Sequence, residues 1–233
     1  MSRITAVLFD KDGTLFDFNA TWGAWAQGFL SELAEGEPAR AASLGRAVGF
    51  DMQTGRYHPD SPVIAGTPEV AVELLLPHLP GMSPAGLAAR MNSAAARAPL
   101  CEAVPLAPLL DALAGRGLAL GVATNDAEAV ARAHLAAAGV AGRFDFIAGC
   151  DSGHGAKPAP GPLLAFAAAV GRAPAEVVMV GDSRHDLAAG RAAGMATLGV
   201  LTGPAEAADL ADLADAVVPD IGHLPAFLAR RAA

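Results

Sequence analysis

The sequence predicts an α/β fold, a parallel sheet core flanked by helices with an all-helical insert after the first strand. Three observations carry that prediction. Short apolar runs such as Ala6–Phe9 (AVLF) and Val177–Val180 (VVMV) stop abruptly at polar and glycine residues, the pattern of strands buried on both faces. Ala/Leu-rich stretches of helical length stand between those runs, and strand alternating with helix builds a parallel, Rossmann-like sheet with right-handed crossovers. From Asp17 to Pro99 the alternation lapses and only helix-like segments remain.

Taken in order, the first strand is Ala6–Phe9, halted by Asp10 and Gly13. Further strands are read at Leu118–Ala123, Phe144–Ala148 and Val177–Val180, with fainter ones at Ala196–Leu201 and Ala216–Val218. The intervening helices are Val104–Gly115, Ala127–Ala138, Pro160–Val170, Arg184–Ala193 and Ala205–Leu213. Asp209, Asp212 and Asp215 read as the polar face of an Ala/Leu helix near the C-terminus. The insert carries helices at Ala20–Leu33, Ala39–Val48, Pro68–Leu79 and Pro84–Ala96, separated by turn-rich pieces such as Gly55–Pro62. The expected division is a core of residues 1–16 and 100–233 and a helical cap of residues 17–99.

Composition removes several classes of function. At 233 residues the chain is long enough to bury a sizeable core. Sixteen Lys and Arg against 24 Asp and Glu give a formal charge of −8 and a pI near 5.1, which excludes a basic nucleic-acid face or adsorption to anionic lipid. At 53% hydrophobic and 17% charged residues the chain is too apolar for disorder. Cys101 and Cys150 are too few for a disulfide framework or a four-ligand zinc site, and are expected as buried apolar fillers. The N-terminus lacks a signal-peptide pattern, and no apolar run approaches the roughly 20 residues that cross a bilayer. A cytoplasmic monomer or homodimer is expected, acting on a small molecule and binding neither nucleic acid nor membrane.

Four elements stand at or just beyond the C-terminal ends of strands, the edge where open α/β sheets bind ligands. Asp10 and Asp12 bracket Lys11, so both carboxylates point into one crevice while Lys11 points away. Such a pair holds a hard cation such as Mg²⁺, or supplies a nucleophile and an acid/base. Thr124-Asn125 offers a hydroxyl and an amide to an anionic oxygen, and Lys157-Pro158 adds a cation. Gly181-Asp182-Ser183-Arg184-His185-Asp186 brings two more carboxylates, with His185 facing solvent. Each element alone also reads as a helix cap or solvated loop; their order along one sheet edge favours a site.

The series Asp10-x-Asp12-Gly13-Thr14, Thr124, Lys157-Pro158 and Gly181-Asp182-x-x-x-Asp186 closely resembles the four motifs of the haloacid dehalogenase superfamily. The insert resembles the helical cap of its phosphoglycolate phosphatase and phosphoglucomutase branch. The resemblance implies that Asp10 attacks phosphorus to form an aspartyl-phosphate. Asp12 then protonates the leaving oxygen and later activates water. It further implies that Thr124 binds a phosphoryl oxygen, that Lys157 neutralises charge, and that Asp182 holds Mg²⁺ with the Asp10 carboxylate and the Asp12 carbonyl. Asp186 is a ligand or supports one. Dehalogenases of this family lack the second acid that Asp12 provides, and phosphonate-cleaving relatives need a cap lysine. Lys11 and Lys157 are the chain's only lysines, and neither lies in the cap.

The implied activity is Mg²⁺-dependent hydrolysis of a small phosphate monoester, with phosphoglycolate leading. A phosphosugar mutase is the alternative; a phospho-receiver or a non-catalytic interaction protein is remote. Cap candidates for substrate choice are Asn19, Trp22, Trp25, Arg46, Arg56, Tyr57 and His58. Arg56 and His58 are the groups expected to meet a substrate carboxylate, while the two tryptophans read first as cap packing.

Overall fold

The computed structural model describes residues 3–232. Strand β1 (Ala6–Phe9) leads into a long excursion of α1 (Phe18–Leu33), α2 (Pro38–Ala47), β2 (Phe50–Asp51), β3 (Arg56–Tyr57), α3 (Pro68–Leu75) and α4 (Pro84–Ala95). The chain then returns through α5 (Leu106–Ala114), β4 (Ala119–Ala123), α6 (Glu128–Ala137), β5 (Phe146–Ala148) and α7 (Gly161–Ala169). It closes with β6 (Val177–Gly181), α8 (Arg184–Ala192), β7 (Ala196–Val200), α9 (Ala207–Leu210), β8 (Ala216–Val218) and α10 (Leu224–Ala232).

Six strands form one parallel sheet in the order β5-β4-β1-β6-β7-β8. Period-two alternation sends β1 side chains to both faces. Val7 and Phe9 pack with Leu106, Leu110 and Leu135 under α5 and α6, while Ala6 and Leu8 pack with Leu163 and Phe166 under α7. Strand order reverses around β1, which places a crevice at the C-terminal ends of β1, β4 and β6.

The excursion has a hydrophobic cluster of its own, built from Phe29, Leu30, Leu44, Phe50, Leu75 and Leu87 among others. Its two ends run side by side: Asp17 N–H donates to Cys101 O at 2.8 Å, and Ala103 N–H donates to Leu15 O at 2.9 Å. α1 begins where Asp17 accepts the Ala20 N–H at 2.8 Å, a side-chain N-cap.

Four local readings differ from expectation. The excursion is not purely helical: Phe50 pairs with Tyr57 and Asp51 with Arg56 in a minimal antiparallel ribbon, too short to show an alternating pattern in sequence. The helix expected over Ala205–Leu213 is reduced to Ala207–Leu210; Asp209 O accepts from Arg184, and Leu213 O from Arg191 and Thr197, in place of further helical bonds. Cys101 is exposed and Cys150 half-buried, so Cys101 fills no core. The terminal helix α10 buries Leu224, Phe227 and Leu228 against the sheet. No helix among the described residues is long and apolar enough to cross a membrane.

Candidate active site

Loops leaving β1, β4, β6 and β7, with the loop before α7, converge on the crevice. Asp10 follows β1 and its N–H donates to Val180 O at 2.9 Å, which fixes the carboxylate at the mouth. Asp10, Asp182 and Asp186, all buried, each offer an oxygen within 4.8 Å of the others. Lys157 Nζ reaches across the trio, 2.7 Å from Asp10 Oδ1 and 2.6 Å from Asp186 Oδ1. The first contact lacks hydrogen-bond geometry, so Asp10 Oδ1 is buried without a hydrogen-bond donor.

Each acid is held from behind. Thr14 Oγ1 donates to Asp182 Oδ1 at 3.1 Å. Gly13 (φ +76°) and Gly203 pack so close to Asp182 that a Cβ at either would collide with its carboxylate. Thr202 Oγ1 donates to Gly13 O at 2.6 Å and locks that loop. Ser183 caps α8 and gives both its N–H (3.0 Å) and its hydroxyl (2.6 Å) to Asp186 Oδ2, so Asp186 is a capping residue and a site residue at once.

Burial pushes the Asp10 carboxyl up to about 7, with Lys157 opposing and Asp186 and Asp12 adding to the rise. Burial, with Asp186 and Asp10 beside it, likewise holds Asp182 well above the usual carboxylate range. Burial alone would lower Lys157, but Asp10 and Asp186 hold it above its ordinary value and keep it an ammonium. Three crowded carboxylates thus share one cation. A buried, all-oxygen donor set of three carboxylates against one ammonium fits Mg²⁺.

The Asp12 carboxylate is not part of the trio. Both its oxygens lie 2.8 Å from Lys11 Nζ, which corrects the expectation that Lys11 points away. Lys11 is fully buried; its ammonium also contacts Asp126 Oδ2 at 3.2 Å and His134 Nδ1 at 3.0 Å, and lies 5.3 Å from the Trp22 ring. Burial and the Lys11 charge lower the His134 pKa, and its Nε2 sits 2.7 Å from Ala95 O. Nδ1 therefore accepts from Lys11 and Nε2–H donates to Ala95 O. The lysine is tolerated inside because two carboxylates, an imidazole and an aromatic face surround it.

Thr124 Oγ1 accepts the Asp126 N–H at 3.1 Å, leaving its hydroxyl hydrogen free for an anionic oxygen. Asn125 is differently employed. Its oxygen accepts the Lys157 N–H at 2.8 Å, and its amide donates to Lys157 O at 2.8 Å and Ala65 O at 2.9 Å. Both amide donors are spent on clamping the Lys157 loop and an insert loop, which removes them from the substrate role expected of them. The Lys157–Pro158 peptide is cis.

A cavity of about 140 Å³ opens from these acids into the insert. Trp22, Trp25, Tyr57 and His185 line it; Asn19, Arg46, Arg56 and His58 do not. The ribbon explains the last two: its alternation turns Tyr57 inward beside Phe50 and leaves Arg56 and His58 exposed. Thr14 stood in the first motif without a role of its own, and Thr202 and Gly203 escaped the sequence reading. For Thr202-Gly203 the available signal was a turn sequence just past β7, on the same sheet edge.

An open parallel sheet carrying an acidic, lysine-bridged pocket at its switch point, under a helical insert, is the architecture of a hydrolase of phosphate-type esters. Residues 4–194 match the haloacid dehalogenase-like hydrolase family, and the chain belongs to it. It is 39% identical to Escherichia coli (strain K12) phosphoglycolate phosphatase over 98 residues, covering 42% of this chain and 39% of that one. It is 42% identical to Neisseria meningitidis phosphoglycolate phosphatase over 111 residues, 47% of each chain. The matches thus span less than half the length of these relatives. A crystal structure of a Deinococcus radiodurans haloacid dehalogenase family hydrolase with bound phosphate and sodium superposes with a TM-score of 0.68 at 26% identity, over 100% of this chain and 98% of that one.

Proposed function

We propose that this phosphatase hydrolyses a small phosphate monoester in two steps at Asp10, with Mg²⁺ held by Asp10, Asp182 and Asp186 and by the Asp12 carbonyl. The observation that carries the proposal is the trio of buried carboxylates bridged by Lys157, with Asp12 held separately on Lys11. When bound, Mg²⁺ supplies the positive charge that lets a carboxylate approach a dianionic phosphoryl group. Asp10 Oδ attacks phosphorus, forming an aspartyl-phosphate as the ester P–O bond breaks, and Asp12 gives a proton to the leaving oxygen. Asp12 then takes a proton from water, which attacks the same phosphorus and releases phosphate. Lys157 and the Thr124 hydroxyl hold the phosphoryl oxygens, stabilising charge where it develops. The insert acts as a lid that keeps bulk water from the aspartyl-phosphate.

The named relatives make phosphoglycolate a candidate substrate. The phosphosugar mutase alternative draws on a basic pair in the cap, and no basic insert residue lines the cavity. The test is phosphate release from a panel of monoesters with Mg²⁺ or EDTA, alongside Asp10→Asn. Release that needs Mg²⁺ and vanishes in a folded Asp10→Asn variant is expected; no release from any ester refutes the proposal.

A further inference from the structure

The insert wall of the chamber above the acids carries no charge. Every insert residue that lines it is uncharged, and the wall is built from Phe18, Trp22, Trp25, Leu30, Ile64 and Met91 with their neighbours. Apart from the two indole N–H groups, its polar side-chain groups are the Tyr57 hydroxyl, the Thr67 hydroxyl and the Asn92 amide. The core side contributes five carboxylates, Asp10, Asp12, Asp126, Asp182 and Asp186, against Lys157 and His185. Lys157 is already committed to Asp10 and Asp186. Lys11 is likewise committed to Asp12 and Asp126, so a carboxylate on the leaving group would meet no free cation, and no arginine lines the chamber to pair with it. Sugar hydroxyls would lose water against apolar walls that return few hydrogen bonds.

Resting on the phosphatase reading above, we infer that the substrate's leaving group is apolar, a short alkyl or single-ring aryl alcohol, and that the insert selects it by burial. The cavity measures about 140 Å³ with its acid end included, so the part left beside a bound phosphoryl group suits a short chain or a single ring. Burial of one methylene corresponds to about a fourfold gain.

The experiment measures kcat/KM with Mg²⁺ for methyl, ethyl, propyl, butyl and benzyl phosphate, and for phosphoglycolate and glycerol phosphate. Propyl phosphate and phosphoglycolate make the deciding pair, similar in shape but differing by a charge. Expected is a rise of about fourfold per methylene until the chamber fills, with propyl phosphate at least tenfold above phosphoglycolate. A flat or falling alkyl series, or phosphoglycolate matching propyl phosphate, overturns the inference while leaving the phosphatase reading intact. Calorimetric binding of benzyl phosphate and phosphoglycolate to Asp10→Asn separates the two claims. Tighter benzyl phosphate binding supports an apolar chamber even if nothing is turned over, and equal or weaker binding refutes it.

Discussion

Lys11→Met tests whether a buried cation holds the loop of the two motif acids together. Lys11 has no exposed side-chain surface, and its partners Asp12 and Asp126 are only 17% and 13% exposed. Methionine has nearly the same length and volume, so little cavity is created. What disappears is the charge, leaving two carboxylates and the lone pair of His134 Nδ1 facing one another. Removing one partner of a buried ion pair costs about 3–5 kcal/mol. The residual exposure of the acids places this case near the lower value, about 3 kcal/mol. For a chain of this size each kcal/mol moves the unfolding midpoint by about 2–4 °C, so Tm falls by roughly 6–12 °C. The assay is thermal unfolding by circular dichroism at neutral pH, for Lys11→Met and for Lys11→Met with Asp126→Asn. The double variant removes one stranded charge and regains part of the loss. A drop below about 2 °C, or a double variant no more stable than the single one, refutes the view that Lys11 stabilises this loop.

Three further outcomes follow from the geometry. Gly203→Ala drives a methyl into the Asp182 carboxylate, so the Mg²⁺ concentration for half-maximal phosphate release rises at least tenfold while the far-ultraviolet spectrum is unchanged. In metal-free protein burial pushes the Asp10 carboxyl up to about 7, whereas in the unfolded chain it titrates near its ordinary 3.8. The folded state therefore binds more protons in that window, and Asp10's contribution to stability is present below it and lost as pH rises through about 7. The EDTA-treated protein should show a Tm that falls over this range, with a shallower fall in Asp10→Asn. The proposed Mg²⁺ site exists only in the folded chain, so millimolar Mg²⁺ is expected to raise the wild-type Tm, read by thermal unfolding, and to leave Asp182→Asn unmoved.

The core was legible because its strands are buried on both faces: AVLF and VVMV are continuous apolar runs, and their polar stops marked the catalytic edge. Asp10, Asp182, Asp186 and Lys157 lie together at the sheet edge on which their motifs fall. Long-range partners of single side chains were not legible. Nothing local to Lys11 announces Asp126 or His134, more than a hundred residues downstream. Asn125 looked like a ligand group because its amide is free in sequence, and only the folded chain shows Lys157 and Ala65 consuming it. Arg56 and His58 were misread for a reason of parity: in a two-residue strand, inside and outside depend on register, which pairing with Phe50 and Asp51 decides.

The position of β1 also bears on the order in which the molecule is made. Of the six strands of the sheet β1 is made first, yet it lies mid-sheet, hydrogen-bonded to strands that begin at Ala119 and Val177. The insert's own cluster draws its buried residues from between Ala26 and Met91, and synthesis delivers them all before either neighbour of β1 exists. N-terminal units fold first as a chain emerges. Folding in that order would set the insert's own core in place while β1 still lacked both of its neighbours.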